Sequence, residues 1–220
     1  MSIIEHVVLF KIKEDATQSQ IDSMVDRVNS LVSLKETLHL NMLTIQSSFS
    51  SSSSSSFTHI LHIRFTSKED LHAYAIHPTH LEVIKVNAPL VSDIMAVDWV
   101  TEVDGNDLVL PYGSAVRVVF FKLKEGLSEQ VKDEVLKGIS GIRHENAVQF
   151  TCGENFSPAR AKGFSIATLE VFTGLSELKE LKEVDYDEEF RKYDVNDKIK
   201  ENLDNVFGTI LGFMVVGPPF

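Results

Sequence analysis

Tyr74, His77 and His80 stand close together in Ala73-Tyr74-Ala75-Ile76-His77-Pro78-Thr79-His80. A neutral imidazole takes or gives a proton near neutral pH, and a phenol donates one to a developing oxyanion, so this set suits proton abstraction beside a carbonyl. Two more histidines lie on strand-like alternations. His6 shares a side with Ile4, Val8 and Phe10, and His59 with Phe57, Leu61, Ile63 and Phe65. Each is placed to face an apolar core or cavity. A single buried histidine is more often a hydrogen-bonded core residue than a catalyst; several aimed at one cavity point to a site.

Other chemistries find less support. His77 and His80 are three apart, a spacing some zinc sites use, but no HExxH and no cysteine partner accompanies them. No GxxxxGK[ST], GxSxG or GxGxxG occurs, and nothing points to a Ser-His-Asp triad. Cys152, in Phe150-Thr151-Cys152-Gly153, reads as a small apolar residue rather than a nucleophile. As the only cysteine it excludes an intrachain disulfide, which fits a reducing compartment. The formal charge is −11, with seven basic and twelve acidic side chains in residues 1–103 and fourteen and twenty in 104–220. Neither half offers a basic face, so nucleic acid and anionic membranes are not expected partners. With no basic leader before an apolar stretch and no apolar run of about 18 residues, a soluble cytoplasmic protein is expected.

The elements that position these residues occur twice. His6-Val7-Val8-Leu9-Phe10-Lys11-Ile12-Lys13-Glu14 matches Arg117-Val118-Val119-Phe120-Phe121-Lys122-Leu123-Lys124-Glu125, and 57–65 (FTHILHIRF) matches 164–172 (FSIATLEVF) in the same order. This is a tandem duplication: a first domain over 1–103, a polar linker over 104–113 and a second, diverged domain over 114–220. Each copy reads as strand, helix, strand, strand, helix, strand. Thr17-Gln18-Ser19-Gln20 has capping-box spacing ahead of Ile21, Met24, Val25, Val28, Leu31 and Val32 at helical intervals. Ser67 caps a helix bearing Leu71 and Tyr74, and His77-Pro78 starts a further turn. In the second copy Ser128 precedes Val131, Val135, Leu136 and Ile139, and Leu178, Leu181 and Val184 mark its later helix.

Segment 47–56 holds nine serines and Phe49. It has too little apolar area to offset its ordering entropy, so a mobile loop between two strands is expected. Seven of the eight histidines precede residue 104, while ten of the fourteen phenylalanines follow it. The polar cavity set is therefore confined to the first copy.

The chain resembles the stress-responsive dimeric α/β-barrel family of plants in its two-domain form. The residues that carry this are Glu5-His6-Val7-Val8-Leu9-Phe10-Lys11, Phe57-Thr58-His59, Arg64-Phe65 and Tyr74 through His80 with its HPxH core. In the second copy Arg117 replaces the first histidine, Ile166 stands for His59, Leu181 for Tyr74, and Val184-Asp185-Tyr186-Asp187 for HPTH. The resemblance implies an α+β fold of two ferredoxin-like domains whose sheets pair into a barrel within one polypeptide, with further homodimerisation open. It implies a stress-response and plant-defence protein with antifungal activity and no assigned reaction. The alternative it carries is a polyketide cyclase closing a linear poly-β-ketone by intramolecular aldol condensation. In that reading Tyr74 and His80 are the acid/base pair, His6, His59 and His77 line the cavity, and the partner is a small apolar or polyketide-like ligand. No cofactor is required, although relatives hold Mg²⁺ on main-chain carbonyls that correspond to Val32, Lys35 and Leu38.

Overall fold

Strand β1 (Ser2–Ile12) has both faces covered, and its alternation sorts side chains between two different cores. Val7 and Leu9 point into a cluster shared with Val116, Val118, Phe120, Leu169 and Val171 of the second copy. Ile4 and Val8 point the other way, into a cluster with Met24, Val28, Leu71 and Tyr74 on the helices of their own copy. A period of two thus supplies one face to the barrel interior and one to a helical layer. The computed structural model describes residues 1–45, 47–50, 57–111, 113–174, 199 and 201–211, with the side chains of 47–50, 106 and 205–211 left aside.

The first copy continues through α1 (Gln18–Asn29), β2 (Thr37–Thr44), β4 (His59–Phe65), α2 (Lys68–Ala75), α3 (Pro78–Asn87) and β5 (Val91–Glu102), with β3 (Ser47–Ser50) between β2 and β4. Its antiparallel sheet runs β2-β4-β1-β5. The second copy comprises β6 (Ala115–Leu123), α4 (Glu129–Ser140), β7 (Gln149–Glu154), β8 (Ile166–Phe172) and β9 (Leu203–Leu211). Its sheet runs β3-β9-β6-β8-β7.

Caps settle where the helices begin. Thr17 Oγ1 accepts the Gln20 N–H while Gln20 Oε1 accepts the Thr17 N–H, the reciprocal pair its spacing predicts. Ser67 and Ser128 cap α2 and α4 in one direction, their hydroxyls accepting the Asp70 and Val131 N–H. The stretch after His77 is longer than the short turn expected, forming the ten-residue α3 with Pro78 in its first turn. Val32 departs from the expected apolar face and is 43% exposed. The chain tightens into a 3₁₀ turn over Ser30–Ser33, and the change from 3.6 to 3.0 residues per turn rotates Val32 outward.

The serine segment also departs from expectation. Ser47–Ser50 is strand β3, paired antiparallel with β9, so the first copy lends a fifth strand to the second copy's sheet. Backbone hydrogen bonding to an otherwise open sheet edge supplies the order that serine side chains cannot. Residues 51–56 lie outside the described residues, as do Leu178, Leu181 and Val184. At the opposite seam Trp99 on β5 bridges Asn155, just beyond β7. The two copies therefore pair within one chain and exchange edge contacts at both seams. No described helix is long and apolar enough to cross a membrane.

Candidate functional site

Between the outer face of the first sheet and helices α2 and α3 lies a cavity of about 700 Å³. Tyr74 and His80 come together because α2 ends at Ala75 and α3 starts at Pro78, folding the chain back at His77. Their rings lie 4.3 Å apart, centroid to centroid, and Tyr74 also packs 5.2 Å from Phe65. Tyr74 is 1% exposed, yet its hydroxyl has no hydrogen-bond partner. A buried phenol left unsatisfied costs stability, and such a group calls for an explanation in function. Burial pushes its pKa well above the usual 10, so it is a proton donor across the physiological range.

His80 Nδ1 donates to the Ala75 carbonyl at 3.1 Å, since a carbonyl can only accept. That bond fixes the tautomer and leaves Nε2 with its lone pair. Burial lowers the His80 pKa, opposed by the Ala75 bond and assisted by the charges around His6 and Arg160. The imidazole is then neutral at pH 7 and able to accept a proton.

His6 lines the same cavity, held by a carboxylate that sequence reading did not single out. Its Nδ1 shares a short hydrogen bond with Asp98 Oδ1, directly opposite on β5. Asp98 is fully buried. Burial raises its carboxyl, but bonding to His6 and Ser157 and the charge of Arg160 overrule this and hold it low. The signal was present in Met95-Ala96-Val97-Asp98-Trp99, where one acid interrupts an apolar run. Arg160 Nη2 reaches Asp98 Oδ2 at 3.1 Å, and Phe156, Ala159 and Lys162 join the wall beside it. These four belong to the second copy. Their segment is pinned to β5, since Asn155 Oδ1 accepts the Asp98 N–H at 3.1 Å and Asp98 O accepts the Phe156 N–H at 2.9 Å.

The remaining histidines of the predicted set lie elsewhere. His77 is the cap of α3, its Nδ1 accepting the Thr79 N–H at 3.2 Å. His59 is held by Thr58 Oγ1 at 2.9 Å and Thr44 Oγ1 at 3.5 Å and is not among the walls of this cavity. Burial lowers its pKa. A separate buried network faces the barrel interior. Arg64 binds Glu5 through Nη2–Oε1 at 2.9 Å, His62 Nε2 meets Glu5 Oε2 at 2.6 Å, and His39 stacks 5.2 Å from His62. Arg64 also donates to the Asp107 carbonyl and to Gln149 Oε1, spanning both copies.

In the second copy the place of His6 is taken by Arg117, whose partner is Glu170 on β8 at 3.1 Å. On β9 the residue opposite Arg117 is Ile210, so the carboxylate of the first copy has no counterpart at that position. Leu181 and Val184-Asp185-Tyr186-Asp187 lie outside the described residues. Cys152 is half-buried, and burial pushes its thiol to about 12, which leaves it unreactive at neutral pH.

The segment carrying Val32, Lys35 and Leu38 contains the one carboxylate oxygen, among the described residues, that is buried and without a partner: Glu36 Oε2. Val32 O already accepts from Thr37 Oγ1 at 3.0 Å, which uses one of its two lone pairs. Main-chain carbonyl and carboxylate oxygens are the donor class that a hard cation such as Mg²⁺ takes, and this segment carries both. Among the described residues no group of three or more His, Cys, Asp or Glu side chains gathers for a metal.

Fold and cavity together define a tandem ferredoxin-like α+β protein with a polar pocket on the first copy's sheet. The chain belongs to the stress responsive A/B barrel domain family, whose family model matches residues 4–101 and 115–207. It is similar to the stress-response A/B barrel domain-containing protein DABB1 of Arabidopsis thaliana, 42% identical over 93% of each chain. It is 45% identical to another stress-response A/B barrel domain-containing protein of the same plant, over 80% of this chain and 67% of that one. A solved protein of Fusobacterium nucleatum with a provisional monooxygenase name aligns over 97% of this chain and 93% of its own, with TM-score 0.62 and 14% identity. That likeness speaks for the fold alone.

Proposed function

We propose that this stress-response family member acts on a small molecule in the first copy's cavity, with Tyr74 and His80 as an acid/base pair for a cyclase-type intramolecular aldol condensation. The observation that carries this reading is the unpartnered Tyr74 hydroxyl against neutral His80 at the wall of an approximately 700 Å³ space. Pockets of about 300–1,000 Å³ with few convergent polar groups are the usual setting for such ligands. His80 Nε2 takes a proton from a carbon beside a carbonyl, leaving an enolate whose oxygen accepts a hydrogen bond from Tyr74. The enolate carbon attacks a distant carbonyl of the same chain, forming the new C–C bond. The resulting alkoxide recovers the proton from His80, so the step balances without a co-reactant. His6, oriented by Asp98, adds a second imidazole to the wall.

The test supplies purified protein to a polyketide synthase and its starter. Diversion of lactone by-products to a cyclised acid, abolished by His80→Ala, is the expected result; unchanged product ratios with wild type would sink the reading. A second reading, an antifungal plant-defence protein without a reaction, draws on His59 and His77 being held by local hydrogen bonds rather than lining the cavity. Hyphal growth inhibition at micromolar protein tests it, and the charge of −11 argues against lysis of anionic membranes as its route. We place the protein in the cytoplasm on its single cysteine. Mg²⁺ on the carbonyls of Val32, Lys35 and Leu38 would serve to neutralise Glu36 and brace the end of α1, away from the acid/base pair.

A further inference from the structure

The chain is strongly acidic, yet the wall of the larger cavity carries Lys68, Arg160 and Lys162 and no carboxylate. Two of the three cations are partly committed. Lys162 Nζ meets Asp93 at 2.7 Å, and Arg160 gives Nη2 to the buried Asp98, which also serves His6. Lys68 has no carboxylate partner among the described residues. Its Nζ lies 4.2 Å from the centroid of the Phe156 ring, a cation–π contact that fixes a first-copy charge against a second-copy wall. Arg160 is still 56% exposed and has donors to spare, and its planar fork suits a carboxylate.

At the other end the cavity meets a second chamber of about 400 Å³, with Phe10, Leu61, Tyr74, His80, Ile84 and Ile94 common to both. That chamber runs between α1 and α3 over Met24, Val28, Leu31 and Val83, and its one carboxylate, Asp93, is the partner of Lys162. Ile84 and Ile94, at the junction, are 50% and 52% exposed. An apolar body lying across them would remove that surface from water. The polar end, the apolar end and the Tyr74–His80 pair between them describe one elongated ligand.

We propose that the cavity takes an amphipathic carboxylate, its anion held by Lys68 and Arg160 and its apolar body lodged between α1 and α3. This deepens the small-molecule reading above by naming the ligand class. It also gives the second copy a share in recognition, because Arg160 and the Phe156 ring beneath Lys68 both come from it.

The experiment titrates the full chain, at low salt, with decanoate and with methyl decanoate, which share a body and differ in charge. Calorimetry should show decanoate binding about tenfold more tightly, the scale expected of two partly exposed ion pairs. The preference should shrink in 0.5 M salt. Lys68→Gln and Arg160→Gln should each cut decanoate affinity severalfold and leave the ester unchanged. Lys68 joins no ion pair among the described residues, so Lys68→Gln remains informative if Arg160→Gln disturbs the fold. Equal affinity for acid and ester, a preference that survives both substitutions together, or no decanoate binding at millimolar concentration each overturn the proposal. Cyclisation persisting without an acid preference removes the anion site alone. An acid preference without cyclisation keeps the anion site and removes the reaction.

Discussion

Replacing Glu5 by glutamine removes a fully buried charge from the barrel interior. Glu5 and Arg64 are both fully buried and joined at 2.9, 3.1 and 3.2 Å, with His62 on the second carboxylate oxygen. Glutamine preserves the shape but leaves the Arg64 guanidinium without its counter-charge. Breaking one side of a buried ion pair costs about 3–5 kcal/mol. A second route gives a similar figure. Burial pulls the Glu5 carboxyl up, but the charges and hydrogen bonds of His62 and Arg64 outweigh it and hold the group at about 2 against an ordinary 4.5. A difference of that size corresponds to about 3 kcal/mol. For a chain of this length the loss lowers Tm by about 10 °C. The folded-state value is depressed, so the contribution is complete above pH 4.5 and vanishes as pH falls toward 2; wild type and Glu5→Gln should converge in acid. Urea denaturation at pH 7 and pH 3 measures both quantities. A cost below about 1 kcal/mol at pH 7, or a gap that does not narrow at pH 3, would refute the reasoning.

Three further outcomes follow from named contacts. Tyr74→Phe deletes a buried hydroxyl that has no partner, so stability should hold or rise by about 1 kcal/mol while cyclisation is lost; thermal melts and turnover together separate the two roles. Gly153→Ala places a methyl 2.7 Å from Trp99 Cδ1 and 2.8 Å from the Val100 carbonyl oxygen, at the seam where the copies meet. It should cost at least about 1–3 kcal/mol, read as a lower urea midpoint and increased exposure in Trp99 fluorescence. Turnover should fall with acid and be half lost below pH 6.5, since burial lowers the His80 pKa, and should show no alkaline loss below pH 10, since burial raises Tyr74; a pH–rate profile checks both limbs.

Acid sensitivity should appear well before the carboxylates titrate. His39 and His62 are buried, and burial depresses both, although Glu5 works against it. A histidine whose folded pKa lies below its unfolded 6.5 contributes stability that is complete above 6.5 and is lost as pH falls beneath it. The network therefore ties the first copy to Asp107 and Gln149 most firmly at neutral pH.

The duplication, the order of the described strands and helices, and their caps were legible in the sequence because local rules decide them. Period-two alternation in 6–10, reciprocal capping at Thr17 and Gln20, and serine caps at 67 and 128 depend on neighbours within a few residues. The pairing of Tyr74 with His80 was legible for the same reason: the turn at His77 is local. What crosses the chain was not. Asp98 reaches His6 across 92 residues and Arg160 reaches Asp98 across 62, and spacing carries no trace of such meetings. Serine composition spoke for a loop, and only the open edge of β9 made Ser47–Ser50 a strand. Sequence alone determined that the histidines and the tyrosine of the cavity belong to one copy. The tertiary structure decided that the other copy helps to wall their cavity, because edge pairing at Trp99 and Asn155 carries segment 155–162 over it.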